Sequence, residues 1–420
     1  MIQKHRNITR ILWILCAVML APPALALSET NADHIQFHVV HGFSEGLAAV
    51  SVYDPIRSEQ DQTDRYLWGY IDTAGNIVIP CEYIYSSHFS EGLAQVWTDE
   101  CSGFINPQGE MVLTGPWLVD GTENGFQDGL AKVCIEDRGD LLLGFIDHEG
   151  NTVIPCEWDS LTYFYDGLAL CQKNGLYGFI SRTGELTVPC QYDDAGIFCD
   201  GLAMVSKDGK YGFIDPTGAE VIPLTWDRTG DFSEGLALVM KDHRGSYIDQ
   251  NGNIVFTLPW KNSFFDLSFY NFSDGLALAY DPDTKLYGYV DHTGALAIPC
   301  AFYEAHLFSR GRALVRKTEE SAYQMIDNAG QLVTPFEFST SIVAFYEPYL
   351  WCRRVDQSWY GGFMDTNGSF IVPREYERGS EYSEGYFTLM RDGNLTIMDE
   401  AGNVLYQQHH DTEDSRPPEG

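Results

Sequence analysis

Basic residues are scarce in this chain. Its 420 residues carry 26 Lys and Arg against 60 Asp and Glu, a formal net charge of -34. Phosphate-backbone binding needs a basic patch, so a nucleic-acid partner is excluded, and adhesion to anionic lipid is disfavoured for the same reason. Apolar runs long enough to cross a membrane are missing beyond the N-terminus. Helical periodicity is missing there too. No G-x-S-x-G, H-E-x-x-H or P-loop occurs, and no C-x-x-C pair supports a zinc or redox centre. These absences leave no catalytic constellation, no cofactor-binding motif and no metal-ligand set.

The N-terminus reads as targeting rather than fold. Lys4, Arg6 and Arg10 form a positive segment, Ile11 to Ala21 an apolar one, and Ala24-Leu25-Ala26 an A-x-A cleavage site. Residues 1–26 are therefore expected to be a signal peptide, with the mature chain starting at Leu27 and a secreted or cell-envelope location. An uncleaved signal anchor is the alternative. Removing Cys16 with the leader leaves nine cysteines. Cys81, Cys156, Cys190 and Cys300 each follow a proline, one repeated slot in which Cys behaves as a small hydrophobe. Export would permit a disulfide between neighbouring repeats, of unreadable connectivity.

What is present is repetition. After a lead-in at 27–42, Phe43-Ser44-Glu45-Gly46-Leu47-Ala48 opens a pattern whose glycine recurs at Gly92, Gly129, Gly167, Gly201, Gly235, Gly275, Gly311 and Gly385, with Pro348 in the slot between the last two. A second turn, Ile-Asp-x-x-Gly in its fullest form, recurs from Gly75 to Gly402 with a mean period of about 36 residues. The result is ten units over 43–406, followed by a polar tail, 407–420, expected to be disordered. The fold class is all-β.

Unit 5 shows each slot. Gly201-Leu202-Ala203-Met204-Val205, Tyr211-Gly212-Phe213-Ile214-Asp215 and Glu220-Val221-Ile222-Pro223 are β-type runs separated by Asp-Gly and Pro-Thr-Gly turns. The residue three before the first glycine is aromatic in all ten units, Phe43 to Tyr382, which predicts a core ring packed on a neighbouring unit. Glycine inside the second run implies close approach of a backbone or ring, and the proline an edge strand or a strand end. Each unit is thus expected to be a three-stranded antiparallel meander. Because units 1 and 10 differ, an elongated or curved solenoid is the expected array, with a propeller-like closed ring as the alternative.

Two polar slots carry the functional reading. Asp72, Asn106, Asp147, Ser181 and their equivalents precede the second turn glycine by three. Asp, Asn and Ser share the ability to accept turn N–H groups, so turn capping is preferred over a calcium site. The residue before the first glycine is acidic in nine units: Glu45, Glu91, Asp128, Asp166, Asp200, Glu234, Asp274, Glu347 and Glu384, with Arg310 as the exception. A solvated turn competes with an acidic stripe that steers a cationic partner. Either way the slots are expected to be exposed and well separated, since like charges repel. Trp117 and Trp260 follow shifted prolines and, with Trp97, Trp351 and Trp359, are candidate surface rings for a glycan.

The units Trp68-Gly69-Tyr70-Ile71-Asp72 and Tyr211-Gly212-Phe213-Ile214-Asp215, with F-S-[ED]-G-L-A before and V-I-P-x-x-[YW] after, resemble the WG (KWG) repeat, common in bacterial proteins. The likeness runs from about 43 to 406. Ser246, Gln324 and Thr396 depart from it in the interior glycine slot, and Pro348 departs in the first. The resemblance implies a β-rich binding or scaffold array without established catalytic residues. The expected function is an exported, non-enzymatic protein-binding scaffold, or alternatively a cell-wall or carbohydrate binder. A glycosidase-type carboxylate pair in a central cleft would mark an enzyme instead.

Overall fold

The computed structural model describes residues 35–55, 58, 65–119, 125–261, 270–334, 343–346, 348–353, 360–377 and 381–408. The expected leader, and the tail beyond Gln408, lie outside these residues.

The repeat pattern folds into ten antiparallel sheets, one per unit. Unit 5 is representative, with a first strand at Asp194–Cys199, a second at Leu202–Lys207, a third at Lys210–Ile214 and a fourth at Glu220–Trp226, paired in that order. Four strands, not the expected three, form seven of the ten sheets, and five form an eighth, counting described residues only. The first strand escapes the sequence pattern for two reasons. A bulge between Ala195 and Phe198 breaks its alternation. Only one residue, Asp193, separates it from the preceding fourth strand, Leu186–Tyr192, so no turn signal marks the boundary. Residues 37–42, read as a lead-in, belong to the first strand of unit 1, Phe37–Ser44.

The two turn signals now have geometry. At the first-to-second strand turn both the acidic residue and the glycine are left-handed, as in Glu45 (φ 54) and Gly46 (φ 79). This is the I′-type hairpin turn that matches strand twist. Because the strands alternate in direction, this turn and the third-to-fourth turn share one face of the molecule. The second-to-third hairpins occupy the other.

The interior glycine of the third strand exists because the fourth strand crosses over it. In unit 5 the pairs Tyr211↔Trp226 and Phe213↔Ile222 place four residues of the fourth strand opposite two of the third. A Cβ on Gly212 would lie 2.4 Å from the Ile222 carbonyl oxygen. Gly69, Gly144, Gly178 and Gly288 show the same clash at 2.4–2.5 Å. Unit 10, with Thr396 in the slot, has no such step there, and in unit 6 the four-against-two step moves one residue earlier, between Arg244↔Lys261 and Ser246↔Thr257. Ser246 faces Thr257, with hydroxyls 2.8 Å apart, and Thr396 pairs with Gln407.

Units join through rings and hydroxyls. Phe232 of unit 6 is 2% exposed and meets Phe213 of unit 5 edge-on at 4.7 Å. Phe89, Phe198 and Phe308 repeat the contact with Tyr70, Phe179 and Tyr289 of their preceding units. Ser44 donates to the Phe89 carbonyl of the next unit at 2.7 Å, and Ser90, Ser233 and Ser273 do likewise.

The array closes. Ser383 of unit 10 donates to the Phe43 carbonyl of unit 1 at 2.6 Å, continuing the same series. At ordinary seams the third-to-fourth turn glycine rests on a fourth-strand side chain of the preceding unit: Gly109 on Ile79, Gly218 on Val188 and Gly252 on Ile222. Gly75 of unit 1 rests in the same way on Tyr406 of unit 10. Phe37, Val40 and Phe43 share one core with Met390, Leu395 and Ile397. The expected open solenoid is therefore corrected to the ten-bladed, propeller-like ring that stood as its alternative. The non-equivalent ends misled because unit 10 substitutes other groups for the missing motif. Gln408, assigned with the tail, is buried, donates its side-chain N–H to the Ile35 carbonyl at 2.5 Å and bonds both backbone groups of Leu395. Small-angle scattering on the full chain should give a radius of gyration of ~22 Å from compact-domain scaling. A clearly elongated profile would contradict closure.

Candidate functional site

The face that carries the first-to-second and third-to-fourth turns gathers the acidic slots. Glu45, Glu91, Asp128, Asp166, Asp200, Glu234, Asp274 and Glu384 are all exposed there. Glu347 lies outside the described residues. The carboxylates are also joints between units. The Gly92 N–H donates to Glu45 at 2.8 Å, Gly129 to Glu91 at 2.9 Å, Gly235 to Asp200 at 2.9 Å, Gly275 to Glu234 at 3.0 Å and Gly311 to Asp274 at 2.7 Å. Gly201 donates to Asp166 at 3.3 Å. At the closing seam Glu384 accepts from the Glu45 and Gly46 N–H groups at 2.8 and 3.0 Å. The slots are thus adjacent around the face rather than well separated. An N–H dipole at seven of these eight carboxylates, all but Asp128, offsets the repulsion that separation was expected to relieve.

Nitrogen-bearing side chains punctuate this face. His148 stacks on Phe126 and lies 3.3 Å from Glu91, while His292 stacks on Phe272 and lies 3.2 Å from Glu234. Arg182 pairs with Asp128 at 3.3 Å. The seam between units 8 and 9 differs from the rest. Arg310 fills the acidic slot, and the next unit offers Pro348, which has no N–H. Arg312, in a slot that is leucine in most units, bridges this seam with its Nε 2.5 Å from the Thr366 carbonyl. In the sequence Arg312 is only a departure from leucine; its role arises from its place beside the seam where Arg310 and Pro348 replace the carboxylate and the glycine N–H.

The second polar slot is a turn cap. The Asp249 carboxylate accepts the Asn251 and Asn253 N–H groups at 2.9 Å each and the Asn253 side-chain amide at 2.9 Å. Asp215 does the same with Thr217 and Ala219, and Asn106 with Gln108 and Glu110. The Asn253 side-chain amide holds the Asp249 carboxyl below the usual range, and the Thr217 hydroxyl does so for Asp215. For carboxyls with depressed folded-state values, stabilisation is complete above about pH 4, the unfolded value, and is lost as pH falls through the folded one. Among the described residues no group of three or more His, Cys, Asp or Glu could hold a metal ion.

The candidate tryptophans separate. Trp117 is 4% exposed, edge-on to Phe104, and closes over Gly115, so it serves the core. It was expected as a surface ring for a glycan, and burial corrects that. The following strand Leu118–Val119 pairs with the second strand of unit 3 and supplies part of that unit's first strand. Trp351 is 2% exposed against Phe363. Trp260 lies in the fourth strand of unit 6, Ile254–Lys261. Trp97 is exposed beside Tyr85, and Trp359 lies outside the described residues.

A ring of ten small antiparallel sheets, each joined to the next by aromatic and turn contacts, defines a propeller-like repeat scaffold. The family model for the WG containing repeat matches residues 68–96, 144–177, 177–211, 211–242, 287–319 and 362–394. The chain is a WG-repeat protein. No curated protein matches it by sequence. Similar solved structures include Hsv2p of Kluyveromyces lactis, at 9% identity and a TM-score of 0.32 over 57% of this chain and 92% of that one. Virginiamycin B lyase from Staphylococcus aureus is another, at 14% identity and a TM-score of 0.29 over 58% and 92%. Closure of the ring rests on the contacts between units 10 and 1, not on these likenesses.

Proposed function

We propose that this WG-repeat protein is an exported, non-enzymatic interaction scaffold that holds a cationic protein segment on the carboxylate face of its ring. The observation that carries this reading is the convergence of the exposed acidic turns on one face, where bonds between units fix their positions. A pre-organised array of like charge raises the local concentration of an opposite charge and steers its approach.

The test replaces charge and keeps shape. In the combined variant Glu45→Gln, Glu91→Gln, Asp200→Asn and Glu234→Gln, each amide oxygen still accepts the neighbouring glycine N–H, so the ring persists. Binding of a lysine-rich peptide should weaken at least tenfold in the variant and fall with salt in the wild type. Equal, salt-insensitive binding by both proteins would overturn the acidic-face reading, and retention of an isolated cell-wall glycan by both would favour carbohydrate binding. N-terminal sequencing of the exported form should start at Leu27. Recovery of residues 1–26 on the membrane-bound protein would overturn cleavage.

A further inference from the structure

The crossing of the fourth strand over the third-strand glycine has a chemical consequence in unit 4. Cys171 on the second strand, Leu168–Lys173, pairs with Gly178 on the third, Leu176–Ser181. A Cβ on Gly178 would stand 2.5 Å from the Val188 carbonyl oxygen and 2.7 Å from the Cys190 nitrogen. The missing side chain lets the Cys190 segment lie across the third strand. There its sulfur reaches the second strand, with the Cys171 and Cys190 Sγ atoms 3.8 Å apart. Cys190 is also outside the ladder, because Tyr177↔Tyr192 and Phe179↔Val188 are the flanking pairs.

The other units show what this slot ordinarily holds. The residue paired with the interior glycine is Val50 in unit 1, Val133 in unit 3, Val205 in unit 5 and Ala279 in unit 7. There the Cys156 and Cys300 sulfurs lie 3.9 and 3.8 Å from the backbone carbonyls of Val133 and Ala279, where no second thiol stands. Only unit 4, among the described units, has cysteine on both sides of the crossing.

We infer that Cys171 and Cys190 are a thiol pair built to close into an intra-unit disulfide by exchange with a disulfide oxidant such as glutathione disulfide. Cys171 is fully buried and Cys190 is partly exposed, which sets the order of events. The Cys190 thiolate attacks the oxidant, forming a mixed disulfide and releasing one small thiol. Cys171 then gives up its proton, and its sulfur attacks the Cys190 sulfur, forming the S–S bond and releasing the second small thiol. The protein loses two hydrogens, and the oxidant is reduced to two thiols. Burial pushes the Cys171 thiol up, in keeping with its role as the second, not the first, nucleophile. The bond would tie the edge strand of unit 4 to its second strand across the third. Its geometry does not depend on the partner or the compartment of the protein.

The test uses the full chain, incubated with glutathione disulfide, denatured, alkylated and mapped by mass spectrometry. A crosslinked peptide joining Cys171 to Cys190 should appear, with two fewer alkylatable thiols and a Tm higher by several degrees that dithiothreitol reverses. Cys171→Val and Cys190→Leu install residues that units 3 and 5 already carry in these slots, so both variants should fold. Cys171→Val should accumulate glutathione on Cys190, and neither variant should show the reversible Tm change. If Cys171 and Cys190 both alkylate fully under conditions that oxidise the exposed Cys101, the inference is wrong. It also fails if the variants retain the oxidation-dependent Tm change.

Discussion

Gly212→Ala should destabilise the protein by about 4 kcal/mol or more, beyond the usual range for a single methyl group. The added Cβ would meet the Ile222 carbonyl oxygen at 2.4 Å and the Pro223 carbonyl carbon and Leu224 nitrogen at 2.8 Å. All three are backbone atoms, so no side-chain rotation relieves the clash. The fourth strand must move, and Ile222, which is 1% exposed, moves with it. Gly201→Ala is the control. That glycine has φ +81 and nothing within 4 Å of a built Cβ, so its substitution should cost only the left-handed backbone penalty, roughly 1–2 kcal/mol. Chemical denaturation of the two variants decides the matter, and equal losses would remove the crossing as the reason for the interior glycine.

Phe232→Ala should cost about 3–5 kcal/mol, the range for truncating a buried Phe. The ring lies in the core shared by units 5 and 6, with Phe213, Ile222, Ala237 and Val239 around it. Its loss empties space at a seam between sheets, and neither sheet can collapse into that space without breaking its own ladder. Glu234→Ala, two residues on, removes an exposed carboxylate and its 3.0 Å bond from Gly275. That loss should be roughly 1 kcal/mol, as for one hydrogen bond at an exposed site. Thermal unfolding of both variants should separate them clearly, and comparable shifts would contradict the division between buried ring and surface latch.

Features that repeat within a few residues were legible in the sequence. The aromatic before each acidic glycine turn, the left-handed glycine and the Asp turn cap each depend on neighbours within about four positions, so their chemistry is written locally. The interior glycine signalled a close approach, but its partner could not be named. The atoms it avoids, such as Ile222 O for Gly212, come from a four-against-two register visible only when the strands pair.

Tertiary structure alone decided the rest. In units 4 and 5 the first strand hides behind a bulge and a one-residue connection, as at Ala195 and Asp193, because neither alternation nor a turn marks it. The acidic slot acts as a joint because its donor lies in the next unit, 47 residues away for Glu45 and Gly92, beyond any local pattern. Closure turned on unit 10, where Tyr406 takes the seam-packing place that Ile79, Val188 and Ile222 hold elsewhere, and Gln408 bonds to Ile35 of unit 1. A ring closes when its last unit fits its first in shape and hydrogen bonding. Different residues can meet that condition, so the sequence established ten units and their turns, and packing alone established that they form a circle.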